Sequence, residues 1–209
     1  MFRKMGLFGL SILLTLITFH QTSQVNAESS GKPEPIVRVE NQQISDGNYT
    51  NLNARVDELK ELEEGTIIVR FRYTGSSIMS LFSLSNTNLA DSHFHLYITP
   101  TSVGSENRYE KPGEEKENIH IKATPVDLKE GNVHTLAMVV DKEKGYKYFL
   151  DGELIKKDTE SPRKFLSNIY NPNNAQLGRT ERASGGNPYL FSGISVFLKF
   201  TMNPFQKIH

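Results

Sequence analysis

Glu106 and Arg108 lie two residues apart in Ser102–Arg108 (SVGSENR), a run that reads as a strand, so their side chains project from one face. A guanidinium is a planar fork suited to a carboxylate. On an open surface, however, a Glu–Arg pair of this kind contributes little. The other chemistry-bearing residues are poorly arranged for catalysis. Of the six histidines, His93 and His95 share a strand face, and no Asp or Glu stands at zinc-protease spacing from them or from His120. Solvated strand histidines are therefore expected. The acidic clusters Glu61–Glu64 and Glu114–Glu117 fall in charge-rich loop or helix-end sequence and read as solvated surface. The chain has no G-x-S-x-G nucleophile motif. With no cysteine, thiolate metal sites and a Cys nucleophile are excluded. These residues suit a binding surface better than a catalytic centre.

The elements that must position them are short strands. Thr66–Tyr73 (TIIVRFRY) alternates, with Ile67, Val69 and Phe71 as its inward set and Arg70 and Arg72 outward. Ile36–Val39, Met79–Ser85 and His93–Ile98 alternate likewise, and Asn118–Ala123, Gln176–Leu177 and Gly193–Phe200 add further strands. Leu52–Leu62 has apolar residues at 52, 56, 59 and 62, the period of one short helical segment, which Glu63-Glu64-Gly65 stops. Asn132–Leu154 (NVHTLAMVVDKEKGYKYFLDGEL) is the central feature. Val133, Leu136, Met138 and Val140 give way to a charged break at Asp141–Gly145, then Tyr146, Tyr148 and Leu150 alternate up to Asp151-Gly152. Two long antiparallel strands with a third begun at Leu154 follow from this pattern. About ten to twelve short strands with one brief helix argue for an all-β, antiparallel two-sheet sandwich.

Composition bounds the rest. Met1–Ala27 has basic Arg3 and Lys4, an apolar run of roughly fifteen residues and a small-x-Ala ending, which is the pattern of a cleaved secretory signal peptide. That run is shorter than the ~20 residues of a membrane span, and no later segment is apolar enough to cross. Export and an extracellular location are expected, with Glu28–Pro35 as a linker, 36–200 as one folded domain and 201–209 as an irregular tail. Without disulfides, the domain depends on the hydrophobic core that ~180 residues can supply. The charge balance of 24 basic against 24 acidic residues gives no footprint for nucleic acid. With no Trp, stacking on a sugar ring falls to Tyr or Phe.

The central hairpin, HTLAMVVD followed by YKYFLDGELI, resembles that of concanavalin A-like (laminin G-like) jelly-roll domains, which implies that fold. Further segments resemble the carbohydrate-binding module that precedes the propeller in bacterial sialidases. These are SLFSLSN (Ser80–Asn86), VGSENR (Val103–Arg108) and AQLGRTERA with the later FSGI, in the family's order over Ile36–Phe197. The resemblance implies a non-catalytic, monomeric module that recognises terminal sialic acid on sialylated glycans. It assigns Arg108 and Arg182 to the sugar carboxylate and hydroxyls, Glu106 to amide or hydroxyl donors, and Tyr189 to an aromatic wall. A secreted concanavalin A-like lectin or adhesion module for another glycan or protein is the alternative. No E-x-D-x-x-E strand of a concanavalin A-like glucanase is found. Sandwich lectins often hold a structural calcium ion, for which Asp46, Asn48 and Asp91 are candidates; such residues also make ordinary turns, so no metal is assigned.

Two segments depart from the family. Ser184–Asn187 differs in composition from its loop, and Gly193 and Ile194 are adjacent where the family spaces them. After Phe197 the chain reads LKFTMNPFQKIH in place of an ending of the Y-N-x-x-L-S type. One thymine added to a back-translated run from Val196 restores that ending. The expectation is a reading frame lost near Phe197, a chain truncated before the catalytic propeller of an exo-α-sialidase, and a last strand that weakens the sheet edge.

Overall fold

The computed structural model describes residues 35–44, 48–183 and 189–201. The expected signal peptide, the linker up to residue 34, Asp46, Ser184–Asn187 and tail residues 202–209 lie outside the described residues. All described residues belong to the compact unit Lys32–His209.

Twelve strands follow one another among these residues: β1 (Val37–Ile44), β2 (Thr50–Asn51), β3 (Gly65–Tyr73), β4 (Met79–Ser85), β5 (His93–Thr99), β6 (Ser102–Tyr109), β7 (Glu117–Ala123), β8 (Val133–Asp141), β9 (Gly145–Leu150), β10 (Glu153–Asp158), β11 (Asn174–Leu177) and β12 (Gly193–Thr201). They form two six-stranded sheets, ordered β1-β12-β3-β8-β9-β10 and β2-β11-β4-β5-β6-β7, with every neighbouring pair antiparallel. This is the two-sheet sandwich that the strand density predicts. The helical segment expected over Leu52–Leu62 is shorter than its apolar period suggests. It consists of a 3-10 turn at Asn53–Arg55 and one α-helical turn, α1 (Val56–Leu59), whose Val56 and Leu59 seat against the core. Among the described residues, no helix is long and apolar enough to cross a membrane.

The alternation of β3 holds as read, with Ile67, Val69, Phe71 and Tyr73 buried and Arg70 and Arg72 outward. From the other sheet Phe82, Leu84, Phe94, Leu96 and Ile98 meet them, closing one apolar layer. Removing this area from water is the main stabilising term of the fold. The layer is crossed by one polar tie: the Ser105 and Tyr148 hydroxyls share a 2.5 Å hydrogen bond in the interior. Burial pushes the Tyr148 hydroxyl far above its usual range, so it stays protonated there. The central hairpin β8–β9 closes at Gly145, whose φ of +84° suits glycine and whose backbone runs close against Asp158 of β10.

The last strand corrects an expectation. β12 is not at a sheet edge; it lies between β1 and β3 and stays paired as far as Thr201 with Thr66. It is the link that joins β1 to the rest of the first sheet.

Gly104 of β6 is the tightest approach in the second sheet. A Cβ there would lie 2.6 Å from the Tyr97 hydroxyl oxygen and 2.6 Å from the Ile121 carbonyl oxygen. Tyr97 uses that space to lie across β6 and share a 2.6 Å hydrogen bond with His120. Gly104→Ala must move backbone as well as a side chain, so we expect a loss of about 1–3 kcal/mol in denaturant unfolding. An unchanged unfolding midpoint would show that β6 and β7 separate easily.

Candidate functional site

Glu106 and Arg108 lie on the face of the second sheet turned away from the core, as their spacing requires. The two-residue turn at Pro100 and Thr101 sets what stands beside them. Thr99 pairs with Ser102, which brings His95 opposite Glu106 and His93 opposite Arg108. On the other side, β7 places His120 opposite Glu106 and Asn118 opposite Arg108. Ser83 of β4 and Gln176 of β11 extend the line beyond His95. One polar row, Gln176–Ser83–His95–Glu106–His120, thus crosses the sheet.

Much of this outer face is covered. The chain after β11 folds back over β4 and β5 and is fastened there by hydrogen bonds. Ser83 Oγ donates to the Arg179 carbonyl at 2.6 Å, Thr180 Oγ1 to Ser80 Oγ at 2.8 Å, and the Ser80 amide to the Tyr189 carbonyl at 2.7 Å. Ser83, Ser85, Asn174 and Gln176 are buried beneath it. So are the two histidines, at 0% exposure for His93 and 1% for His95. The expectation of solvated strand histidines is therefore overturned for His93 and His95, while His120 is exposed as expected. Over His95 the covering segment, a tertiary feature, lays the Tyr189 ring.

At the margin of this cover the charged groups come together. Arg108 brings Nε and Nη2 each to 2.7 Å from Glu106 Oε1, and Nη1 to 2.9 Å from Asp91 Oδ1. Nε and Nη1 are thereby hydrogen-bonded within the protein, and Nη2 is ion-paired with Glu106. The second Glu106 oxygen lies 3.3 Å from His95 Nε2 and 3.9 Å from His93 Nε2. Burial alone would raise the Glu106 carboxyl, but the His93 and His95 rings and the Arg108 guanidinium outweigh it and hold the group well below the usual carboxylate range. Burial pushes the His95 ring below its ordinary value, despite the Glu106 charge beside it. A neutral His95 donating from Nε2 and an ionised Glu106 accepting is the consistent protonation state. Burial, aided by the Glu106 charge, lifts the neighbouring Tyr97 hydroxyl to about 12.

Tyr189 and Arg182 complete the cluster from the covering segment. The Tyr189 ring lies 5.2 Å from the His95 ring, centroid to centroid, at an interplanar angle of 34°. Its backbone takes φ +50°, the left-handed region, which turns this aromatic onto the sheet. The Arg182 guanidinium sits 5.4 Å over the Tyr189 ring, and its Nη2 donates to the Tyr189 hydroxyl at 3.3 Å. The four residues singled out in the sequence thus fall into one string, Arg182, Tyr189, Glu106 and Arg108, with His95 as the link between Tyr189 and Glu106. Sequence reasoning misses the buried roles of His93 and His95 and the place of Asp91. The tight β5–β6 turn is the available signal, because it fixes which histidine faces which charged residue.

His93, His95 and Glu106 bring one ligand-type atom each to within 4.8 Å of the others, the donor set of a zinc-type ion. The surroundings fit such an ion poorly. Metal-bound imidazoles usually donate their second N–H to an acceptor, whereas Nδ1 of both rings has no partner among the described residues. Arg108 already neutralises Glu106, and Arg182 adds positive charge near His95. Nor is Asp91 available to calcium, since its two oxygens accept from Arg108 and Lys116. The arrangement seats the Arg108 guanidinium between two carboxylates.

Fold and site together define an all-β sandwich with a charged clamp on one outer face. The chain belongs to the family Sialidase, N-terminal domain, which matches residues 36–202. It is similar to the CBM40 of the Ruminococcus gnavus IT-sialidase, solved bound to α2,3-sialyllactose, at 32% identity and a TM-score of 0.72 over 82% of this chain and 94% of that one. The same module bound to α2,6-sialyllactose matches at 32% identity and a TM-score of 0.71, covering 82% and 95%. Anhydrosialidase of the leech Macrobdella decora is 31% identical over 197 residues, 90% of this chain and 26% of that protein. The chain therefore spans about a quarter of that relative's length.

The site makes stability depend on pH in one direction. His95, lowered from 6.5, is protonated more readily unfolded than folded, so its contribution is complete above pH 6.5 and is lost as pH falls below it. Glu106, lowered from 4.5, and Asp91, lowered from 3.8, lose theirs below the ordinary carboxylate range. We expect a thermal midpoint that is level near neutrality and falls in two stages on acidification. His95→Phe should start lower and lack the upper stage. A midpoint that rises between pH 7 and 5 would contradict a neutral His95 beside an ionised Glu106.

Proposed function

We propose that the chain is a non-catalytic module that recognises terminal sialic acid on glycans, with Arg108 as the principal contact to the sugar's carboxylate. The observation that carries this reading is the state of the Arg108 guanidinium. It is oriented by Glu106 and Asp91 and a third exposed, so that its exposed N–H groups can meet an incoming anion. Arg182 supplies a second cation nearby, and Tyr189 an amphipathic face against which a sugar ring can lie. Glu106, whose side chain keeps 12% of its surface exposed, accepts from ligand amide or hydroxyl groups beside its contacts to Arg108 and His95. The bound states of the Ruminococcus gnavus module support the same ligand class.

On this reading, the domain of about residues 36–200 acts as a monomer outside the cell, delivered by the signal peptide of Met1–Ala27. Secreted protein should begin at Glu28, which N-terminal sequencing checks. Binding is tested by calorimetric or NMR titration of the purified chain with sialyllactose and with lactose. Sialyllactose alone should bind. Arg108→Ala and Arg182→Ala should each weaken it about 10- to 100-fold, the loss expected for one charge-assisted hydrogen-bonded contact. Melting should change little in Arg182→Ala and fall in Arg108→Ala, which leaves Glu106 without its cation. Equal affinity for lactose, or full binding by Arg108→Ala, would overturn the assignment.

A further inference from the structure

Arg108 is held from outside its own strand. Nη1 reaches Asp91 Oδ1 at 2.9 Å, and Asp91 belongs to the segment before β5. Asp91 is itself held twice. Its second oxygen accepts from Lys116 Nζ at 3.1 Å, and its backbone N–H donates to Glu110 Oε2 at 2.8 Å. Lys116 Nζ also lies 3.0 Å from Glu110 Oε1. Glu110 and Lys116 stand at the two ends of the loop between β6 and β7. One charged network therefore ties two loops together around the guanidinium. An arginine on a free stem loses rotamer freedom when it grips a ligand, and one ordered beforehand loses less.

We infer that Asp91 is the positioning residue of this site: clamped by Lys116 and Glu110, it fixes Arg108 so that the remaining guanidinium donors face the ligand's carboxylate. This rests on the sialic acid reading. The low-lying Asp91 carboxyl agrees with it: burial opposes ionisation, but the Lys116 and Arg108 contacts prevail. The inference also carries a sign that simple charge counting does not. Asp91 is an anion beside an anion-binding group, so its removal should improve affinity on Coulomb grounds alone. As a positioning residue, its removal weakens binding.

The test compares wild type, Asp91→Asn and Lys116→Met in titrations with sialyllactose and with its methyl ester, which lacks the charged carboxylate. Asp91→Asn should bind sialyllactose about tenfold more weakly, the scale of one lost charge-assisted hydrogen bond. Lys116→Met should lose about twofold, as for an exposed ion pair. Weak binding of the methyl ester should be the same in all three. Unchanged or tighter sialyllactose binding by Asp91→Asn overturns the inference and leaves the sialic acid reading standing. An equal loss for acid and ester overturns it too, because it would mark a general structural defect. Failure of the wild type to bind any sialoside sinks the functional reading instead. The NMR signal of the Arg108 Nη1–H that bonds Asp91 in the free protein then decides on Asp91 alone. A slowly exchanging signal that is lost in Asp91→Asn supports the positioning role, and identical signals refute it.

Discussion

The site depends on how one carboxylate is shared. Glu106 gives one oxygen to Arg108 and turns the other toward two imidazoles that the fold has taken out of water. A part-buried glutamate stays ionised only where such partners outweigh its desolvation. His95 contributes by remaining neutral, since a protonated ring would compete with Arg108 for the same charge. The guanidinium is thereby fixed along the edge that meets Glu106 and Asp91. An exposed Glu–Arg pair without this backing would be a mobile ion pair of small consequence.

The rest of the architecture serves that arrangement. The apolar layer between the sheets holds β5 and β6 in register, and the tight turn joining them decides which side chains share a row. The segment after β11 then covers the outer face up to the edge of the charged cluster. It lays Tyr189 on the His95 ring and brings Arg182 to the same place. A sheet buried on both faces at one end and open at the other concentrates polar groups where the cover stops. The imidazole nitrogens that lack a partner among the described residues are a cost in stability.

Much of this is legible in the sequence, and the reasons for the gaps are specific. Strand period places Glu106 and Arg108 on one face, and the alternation of Thr66–Tyr73 gives the inward set of β3 correctly. The Asp141–Gly145 break and the Asp151-Gly152 turn locate the central hairpin. Arg182 and Tyr189 are found through resemblance alone, because no local pattern links a loop arginine to a strand more than 70 residues earlier. The buried histidines escape the sequence because burial of an outer face depends on a covering segment that alternation does not encode. The place of β12 between β1 and β3 escapes it for a related reason: sequence order says nothing of order within a sandwich sheet.

A crystal structure of the chain with sialyllactose would bear most directly on the shared carboxylate and the arginine it holds. The sugar carboxylate should be hydrogen-bonded to the outward N–H groups of Arg108. The Glu106–Arg108 and Asp91–Arg108 contacts should be unchanged from the free protein, with the sugar ring against Tyr189. A ligand seated away from Arg108, or an Arg108 that must leave Glu106 to reach it, would contradict a guanidinium fixed in advance for its anion.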